Sequence, residues 1–182
     1  MELIVIFKVV VVFTVLQRIF ELFIAKSNEK YILSKGGKII PEKNYIFMVL
    51  LHSSWLILLV GFAYFSKINF IEPLFWISLM FFIFGQFLRI TAIKTLGKRW
   101  STRIVILPEA PAIRKGIFSF LRHPNYLGVV IELAALPLMG NMIEVAILFS
   151  LLNAIILYFR IKKEEESLIE FNNYSTIFNL KP

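Results

Sequence analysis

The chain has 182 residues, of which 58% are hydrophobic and 19 are phenylalanine, with a mean hydropathy of +0.77 and a formal net charge of +8. That length ordinarily makes one domain, but such hydrophobicity lies far beyond a soluble domain of average composition, so the chain reads as an all-α, multispanning integral membrane protein. The absence of cysteine excludes a disulfide framework and thiolate chemistry, and two histidines are too few for a zinc site built mainly of imidazole, so no metal is expected.

Five stretches are candidates to cross a hydrocarbon core of about 30 Å at about 1.5 Å per residue. They lie near Leu3–Ala25, Tyr45–Phe65, Pro73–Ile93, Pro124–Met139 and Met142–Phe159, the fourth being short and bounded by Pro137 and Gly140. The first carries Lys8, Arg18 and Glu21 without a small-residue cleavage site, which makes it a span rather than a signal peptide. The connections Lys26–Asn44 and Lys94–His123 and the tail from Arg160 hold five, seven and four of the 20 lysines and arginines, whereas the other two connections hold only Lys67. Basic loops stay in the cytoplasm, so the N-terminus is expected outside a cell membrane and the C-terminus inside. The positive charge is then explained by topology and anionic lipid, and no nucleic-acid partner is expected. Residues 1–182 form one membrane domain, with a three-helix part at 1–93 and, at 94–182, a loop, a helical hairpin and a tail.

In the first span Arg18 and Glu21 stand i,i+3, close enough to pair either as a clamp between helices or as part of a site wall. The loop 26–44 contains Gly36-Gly37, a turn signal, and reads as a solvated connector. His52 lies about 10 Å into the second span, where a lone histidine is more often a hydrogen-bonded helix contact than a catalytic base. Gln86 and Arg89 share a face of the third span near the same end. Three helices thus bring polar groups to the inner half of the membrane, while the outer half is almost purely apolar. That asymmetry favours a one-sided cavity over a through-pore.

The stretch Arg122-His123-Pro124-Asn125-Tyr126-Leu127-Gly128 runs a basic loop straight into an apolar helix. Proline tolerates the first helical position, where its missing N–H would be unpaired anyway, so Pro124 begins a helix and His123 takes the cap position. The unpaired N–H groups and positive dipole end of such a helix can hold an anion. Glu132 shares a face with Asn125, as a base or as a buried hydrogen-bond acceptor. Met139-Gly140-Asn141 makes a tight turn, so the last two spans form an antiparallel hairpin. The final helix emerges as Arg160-Ile161-Lys162-Lys163-Glu164-Glu165-Glu166, on the side of the membrane where His123 and Tyr126 begin the preceding helix. Arg160 and Glu164 share one face there.

At these residues the chain resembles the isoprenylcysteine carboxyl methyltransferase family and its prokaryotic branch, integral membrane enzymes that use S-adenosylmethionine. The resemblance runs from about Leu96 to Tyr174. It covers Leu-Gly-Lys-Arg-Trp, then Gly116 ahead of Arg-His-Pro-Asn-Tyr-Leu-Gly, then Arg160 with Glu164, Glu165 and Leu168; the Arg18…Glu21…Asn28 spacing also looks like bacterial members. It implies a cofactor cradle of His123, Pro124, Asn125 and Tyr126, with Glu164 returning from the last helix and Arg160 facing the acceptor as the catalytic residue. By spacing from the motif it adds Ala110, Pro111, Ala112 and Ile113, Phe118 where relatives often have tyrosine, and Arg103 where animal enzymes have glutamine.

The implied activity is methyl transfer to a carboxylate or hydroxyl of a lipid-like acceptor at the cytoplasmic face, the bacterial branch being associated with alkylpyrone-type polyketides. Transfer from a sulfonium is an in-line displacement that needs orientation and a competent nucleophile. A carboxylate needs no base, whereas a phenol or enol gains from one, with His52 and Glu132 as candidates. Two alternatives stand beside this reading. One is an NADPH-dependent membrane reductase of the sterol type, which a glutamate run suits badly; the other is a small transporter or scaffold, which predicts an internal repeat that the chain lacks.

Overall fold

The computed structural model describes residues 2–42, 44–108 and 110–178. Its elements run α1 (Glu2–Ser34), β1 (Lys38–Ile39), α2 (Tyr45–Phe65), α3 (Glu72–Leu96), β2 (Val105–Ile106), α4 (Pro124–Met139), α5 (Ile143–Phe171) and α6 (Tyr174–Phe178), with 3-10 turns at Gly97–Arg99 and Gly116–Ser119. The chain is an integral membrane protein of the all-α class. Four helices are long and apolar enough to cross a bilayer, and α4 is a shorter apolar helix of 16 residues, about 24 Å at 1.5 Å per residue. Bilayer-facing side chains such as Phe20, Phe23 and Ile57 are exposed, as a solvent of lipid tails requires.

Both ends of α2 and α4 fall where the sequence put them. By contrast α1 and α5 run on as helix well past their apolar stretches, because residues 26–34 and 160–171 contain no glycine or proline to stop them. The stop for α1 is Gly36, at φ +79°, a conformation open to glycine at little cost; the Gly37 N–H then closes the end on the Ile32 carbonyl at 2.9 Å. The connector at 26–44 is therefore not merely solvated. Its second half forms β1, which pairs antiparallel with β2 of the long loop, Lys38 opposite Ile106 and Ile39 opposite Val105.

Two apolar clusters hold the bundle. The larger lies in the apolar half, with Phe7, Val11, Trp55, Leu59, Phe75, Leu133, Leu136 and Met139 at its centre. The smaller gathers Ile40, Ile104 and Ile106 against Leu168 and Phe171 of the α5 extension, covering the polar end. The closest helix crossing joins α3 to α4. A Cβ placed on Gly128 would stand 2.6 Å from Arg89 Cγ and 2.7 Å from the Gly85 carbonyl oxygen, so the motif glycine is what lets the two backbones meet.

Between the larger cluster and the polar end lies a layer of buried charge. Glu21 accepts from Arg18 at 3.0 Å and from Arg89 at 2.5 Å, Glu132 pairs with Arg18, and Arg89 Nε approaches Glu132 at 3.4 Å. Gln17 donates to Glu21 at 2.9 Å and to Gln86 at 2.8 Å. Arg18 and Glu21 are thus a clamp joining α1 to α3 and α4, and Glu132 is a buried acceptor of that clamp rather than a free base. His52 is a helix contact through Nδ1, which is 2.8 Å from the Met48 carbonyl.

Candidate active site

The N-terminus of α4 forms the floor of a chamber at the polar end. Its other walls come from the long loop, the α5 extension, α6 and the end of α1, and its empty volume, open solvent at the mouth included, is about 990 Å3. His123, Pro124, Asn125, Tyr126, Arg103, Ala112, Ile113, Phe118, Arg160 and Glu164 all line it. Ala110 and Pro111 do not. In the loop beside it, the Ala110 N–H bonds the Leu107 carbonyl and the Pro111 carbonyl takes a bond from Arg99.

Tyr126 joins the two helices of the hairpin. Its hydroxyl donates to Glu164 Oε2 at 2.5 Å and accepts from Arg160 Nε at 2.9 Å. Arg160 and Glu164, one helical turn apart, are therefore tied to one phenol, and neither is part of a solvated charge run. His123 holds the cap position without a capping bond from its side chain. Its ring instead stacks on Tyr126 at 5.4 Å between centroids, and its Nε2 lies 2.8 Å from Glu165 Oε1, which also pairs with Arg122 at 3.0 Å. Arg122, His123 and Tyr126 of the motif thus bond to the α5 glutamates, which fixes the direction in which α4 presents its free N–H groups.

Arg160 is 7% exposed and fully braced. Besides Tyr126 it donates from Nη1 to Glu42 at 2.7 Å and from Nη2 to the Thr102 carbonyl at 2.7 Å. On its far side a second crevice, with about 750 Å3 of empty space, open solvent included, is lined by Pro41, Glu42, Asn44, Met48, Ile156, Phe159 and Lys163, between the start of α2 and the middle of α5. Arg160 is the one residue that lines both cavities among those described.

Several lining residues went unread in the sequence. Trp100, the last residue of the Leu-Gly-Lys-Arg-Trp stretch, is buried in the chamber wall, where the Asn28 side chain bonds its carbonyl at 2.8 Å. Tyr174 and Asn172 close the wall from the C-terminal side, and burial pushes the Tyr174 phenol above its ordinary range, so that it stays a protonated donor. No local signal marks Asn172 and Tyr174, because they reach the chamber through chain reversals. Glu42 had a weak one, as a carboxylate directly after a proline in a loop rich in lysine.

The chamber contains polar atoms that its own chain leaves without partners. Trp100 Nε1 and Asn125 Oδ1 are buried without a hydrogen bond among the described residues, and Glu164 has one oxygen free of such bonds. Unpaired buried polar atoms are costly, and a donor, an acceptor and a carboxylate oxygen around one chamber are what a polar, zwitterionic ligand with a base and hydroxyl groups can satisfy. S-Adenosylmethionine has that set of groups.

The description of the isoprenylcysteine carboxyl methyltransferase (ICMT) family matches residues 76–170, from α3 to the end of the α5 extension. The chain is similar to the "Uncharacterized protein YpbQ" of Bacillus subtilis (strain 168), 28% identical over 167 residues that cover 91% of this chain and 98% of that one. It is also similar to an "Uncharacterized protein" of Haemophilus influenzae, 28% identical over 152 residues, or 83% of this chain and 88% of that one. No solved structure matches.

Proposed function

The chain belongs to the isoprenylcysteine carboxyl methyltransferase family of membrane methyltransferases, and on that footing we propose that it moves a methyl group from S-adenosylmethionine to an oxygen of a lipid-like acceptor. The observation that carries this reading is the chamber itself, in which the His-Pro-Asn-Tyr stretch of α4 and Glu164 of α5 meet around unpartnered polar atoms. The free oxygen of Glu164 suits an ammonium or ribose hydroxyls, and the free N–H groups at the start of α4 suit a carboxylate. A carboxylate in that position is a poor host for the 2′-phosphate of NADPH, so the reductase alternative gains nothing here. When bound, the cofactor supplies an electrophilic methyl group on a sulfonium.

What the chain's residues do is orient and desolvate. Tyr126 and Arg160 hold the chamber wall next to the crevice, and in-line approach of an acceptor oxygen through that wall needs no metal assistance. The crevice opens beside the apolar flank of Ile156 and Phe159, where an alkyl tail can stay in lipid while its head reaches Arg160. The acceptor oxygen is a carboxylate or a hydroxyl, such as that of an alkylpyrone. With the basic connections in the cytoplasm, the N-terminus lies outside and the chamber opens to cytosolic cofactor. The test is binding of S-adenosylmethionine and of NADPH to the purified full-length protein in nanodiscs by calorimetry. Saturable binding of S-adenosylmethionine alone is expected; binding of NADPH alone would overturn the reading.

A further inference from the structure

The wall between chamber and crevice is an ion pair whose carboxylate cannot swing freely. Glu42 Oε2 accepts from Arg160 Nη1 at 2.7 Å while its Oε1 accepts from the Ile104 N–H at 3.0 Å. The backbone before it is anchored too, since the Ile40 N–H bonds the Ile104 carbonyl at 2.9 Å and Pro41 stiffens the step between. The side chains of Arg160 and Glu42 are 6% and 9% exposed. A fixed cationic donor and a fixed anionic acceptor thus stand side by side in a place nearly closed to water. Arg160 has five N–H groups and makes three hydrogen bonds among the described residues, which leaves a donor for an incoming oxygen.

A hydroxyl carries both a proton and lone pairs, whereas a carboxylate carries lone pairs only. The first complements both members of this pair; the second complements Arg160 and meets Glu42 as a like charge, which a low dielectric makes costly. Lys163 at the rim of the crevice is exposed, so solvent and salt screen it and it does not cancel Glu42.

We propose that the Glu42–Arg160 pair selects the acceptor, favouring a hydroxyl-bearing lipid-like molecule over a carboxylic acid of the same tail. The proposal rests on the methyltransferase reading above. The acceptor oxygen, held by Arg160, forms its bond to the methyl carbon as the carbon–sulfur bond breaks and that electron pair stays on sulfur, leaving a neutral thioether. The hydroxyl proton grows acidic as the oxygen gives up electron density, passes to the Glu42 carboxylate, and leaves to water. A carboxylate acceptor has no proton to deliver and gains nothing from Glu42.

The experiment compares wild type, Glu42→Gln and Glu42→Asp in nanodiscs, with a long-chain alkylphenol and a fatty acid of equal chain length. Binding of each acceptor is measured on cofactor-free protein, transfer with S-adenosylmethionine, and cofactor affinity by calorimetry. Wild type should prefer the phenol. Glu42→Gln should lose at least tenfold in transfer to the phenol, tighten fatty-acid binding relative to phenol binding by a similar factor, and leave cofactor affinity within about twofold. Glu42→Asp, which keeps the charge, should keep the preference for the phenol. A wild-type preference for the fatty acid, or a Glu42→Gln protein in which both acceptors shift alike, would overturn the proposal while leaving the methyltransferase reading intact. Failure of wild type to bind S-adenosylmethionine would overturn both.

Discussion

The buried charge layer can be tested by taking away one carboxylate and then restoring neutrality. Arg18, Glu21, Arg89 and Glu132 balance to zero, and Glu132, fully buried, pairs with Arg18 and lies 3.4 Å from Arg89 Nε. Glu132→Gln leaves two guanidiniums facing one carboxylate. Removing one partner of a buried pair costs about 3–5 kcal/mol, and because Arg18 is 16% exposed at its side chain, some water relief places the cost at the lower end, about 3 kcal/mol. The double variant Arg18→Gln, Glu132→Gln returns the layer to neutrality, with Arg89 still on Glu21 at 2.5 Å, and should recover about 2 kcal/mol of that loss. The assay is reversible unfolding in mixed detergent micelles, followed by circular dichroism, for wild type, both single variants and the double. A Glu132→Gln cost below about 1 kcal/mol, or a double-variant cost equal to the sum of the singles, would refute the claim that charge balance holds this layer together.

Three further outcomes follow from the site and the topology. Glu164→Ala should weaken S-adenosylmethionine binding by about 1–3 kcal/mol, the loss of a charge-assisted hydrogen bond, as read by calorimetry on protein shown to be folded. Arg160→Lys should lose transfer to every acceptor while largely keeping cofactor affinity, since an ammonium cannot span Tyr126, Glu42 and Thr102 as the guanidinium does; equal losses in both quantities would return Arg160 to a purely structural role. Single cysteines at Lys35 and Lys115 should be shielded from an impermeant thiol reagent in intact cells and one at Asn69 labelled, and labelling at Lys115 would invert the proposed orientation.

The sequence was most readable where one physical rule acts locally. Apolar length gave the four long spans, and Pro124 after a basic loop gave the start of the shorter α4 to the residue. It also brought together the α4 motif and Glu164, because a hairpin must return the end of α5 to the start of α4. What stayed hidden depends on contacts far apart in sequence. The pairing of β1 with β2 spans more than sixty residues of chain and is only two residues long on each side, too short for any alternation to announce it. Glu42 rides on that pairing, so a loop read as solvated holds a carboxylate against Arg160. Ala110 and Pro111 were carried over by spacing alone and stand outside the chamber lining, in a loop tied to Arg99 and Leu107.

The charge layer and the chamber are linked through α4. One side of this helix is fixed to α1 and α3 by Glu132 and by the Gly85–Gly128 approach, which admits no side chain between the backbones. Its opposite relation, to the α5 extension, runs through Tyr126 and His123. The α4 contacts are buried and the α5 contacts partly open, with Glu165 and Arg122 20% and 45% exposed at their side chains. The start of α4 is therefore the rigid reference of the chamber, and Arg160 and Glu164 of α5 are tied to it through Tyr126. A chemistry that needs alignment more than it needs a metal is served by that arrangement, because His123, Asn125 and Tyr126 stand on the helix that the buried charges hold in place.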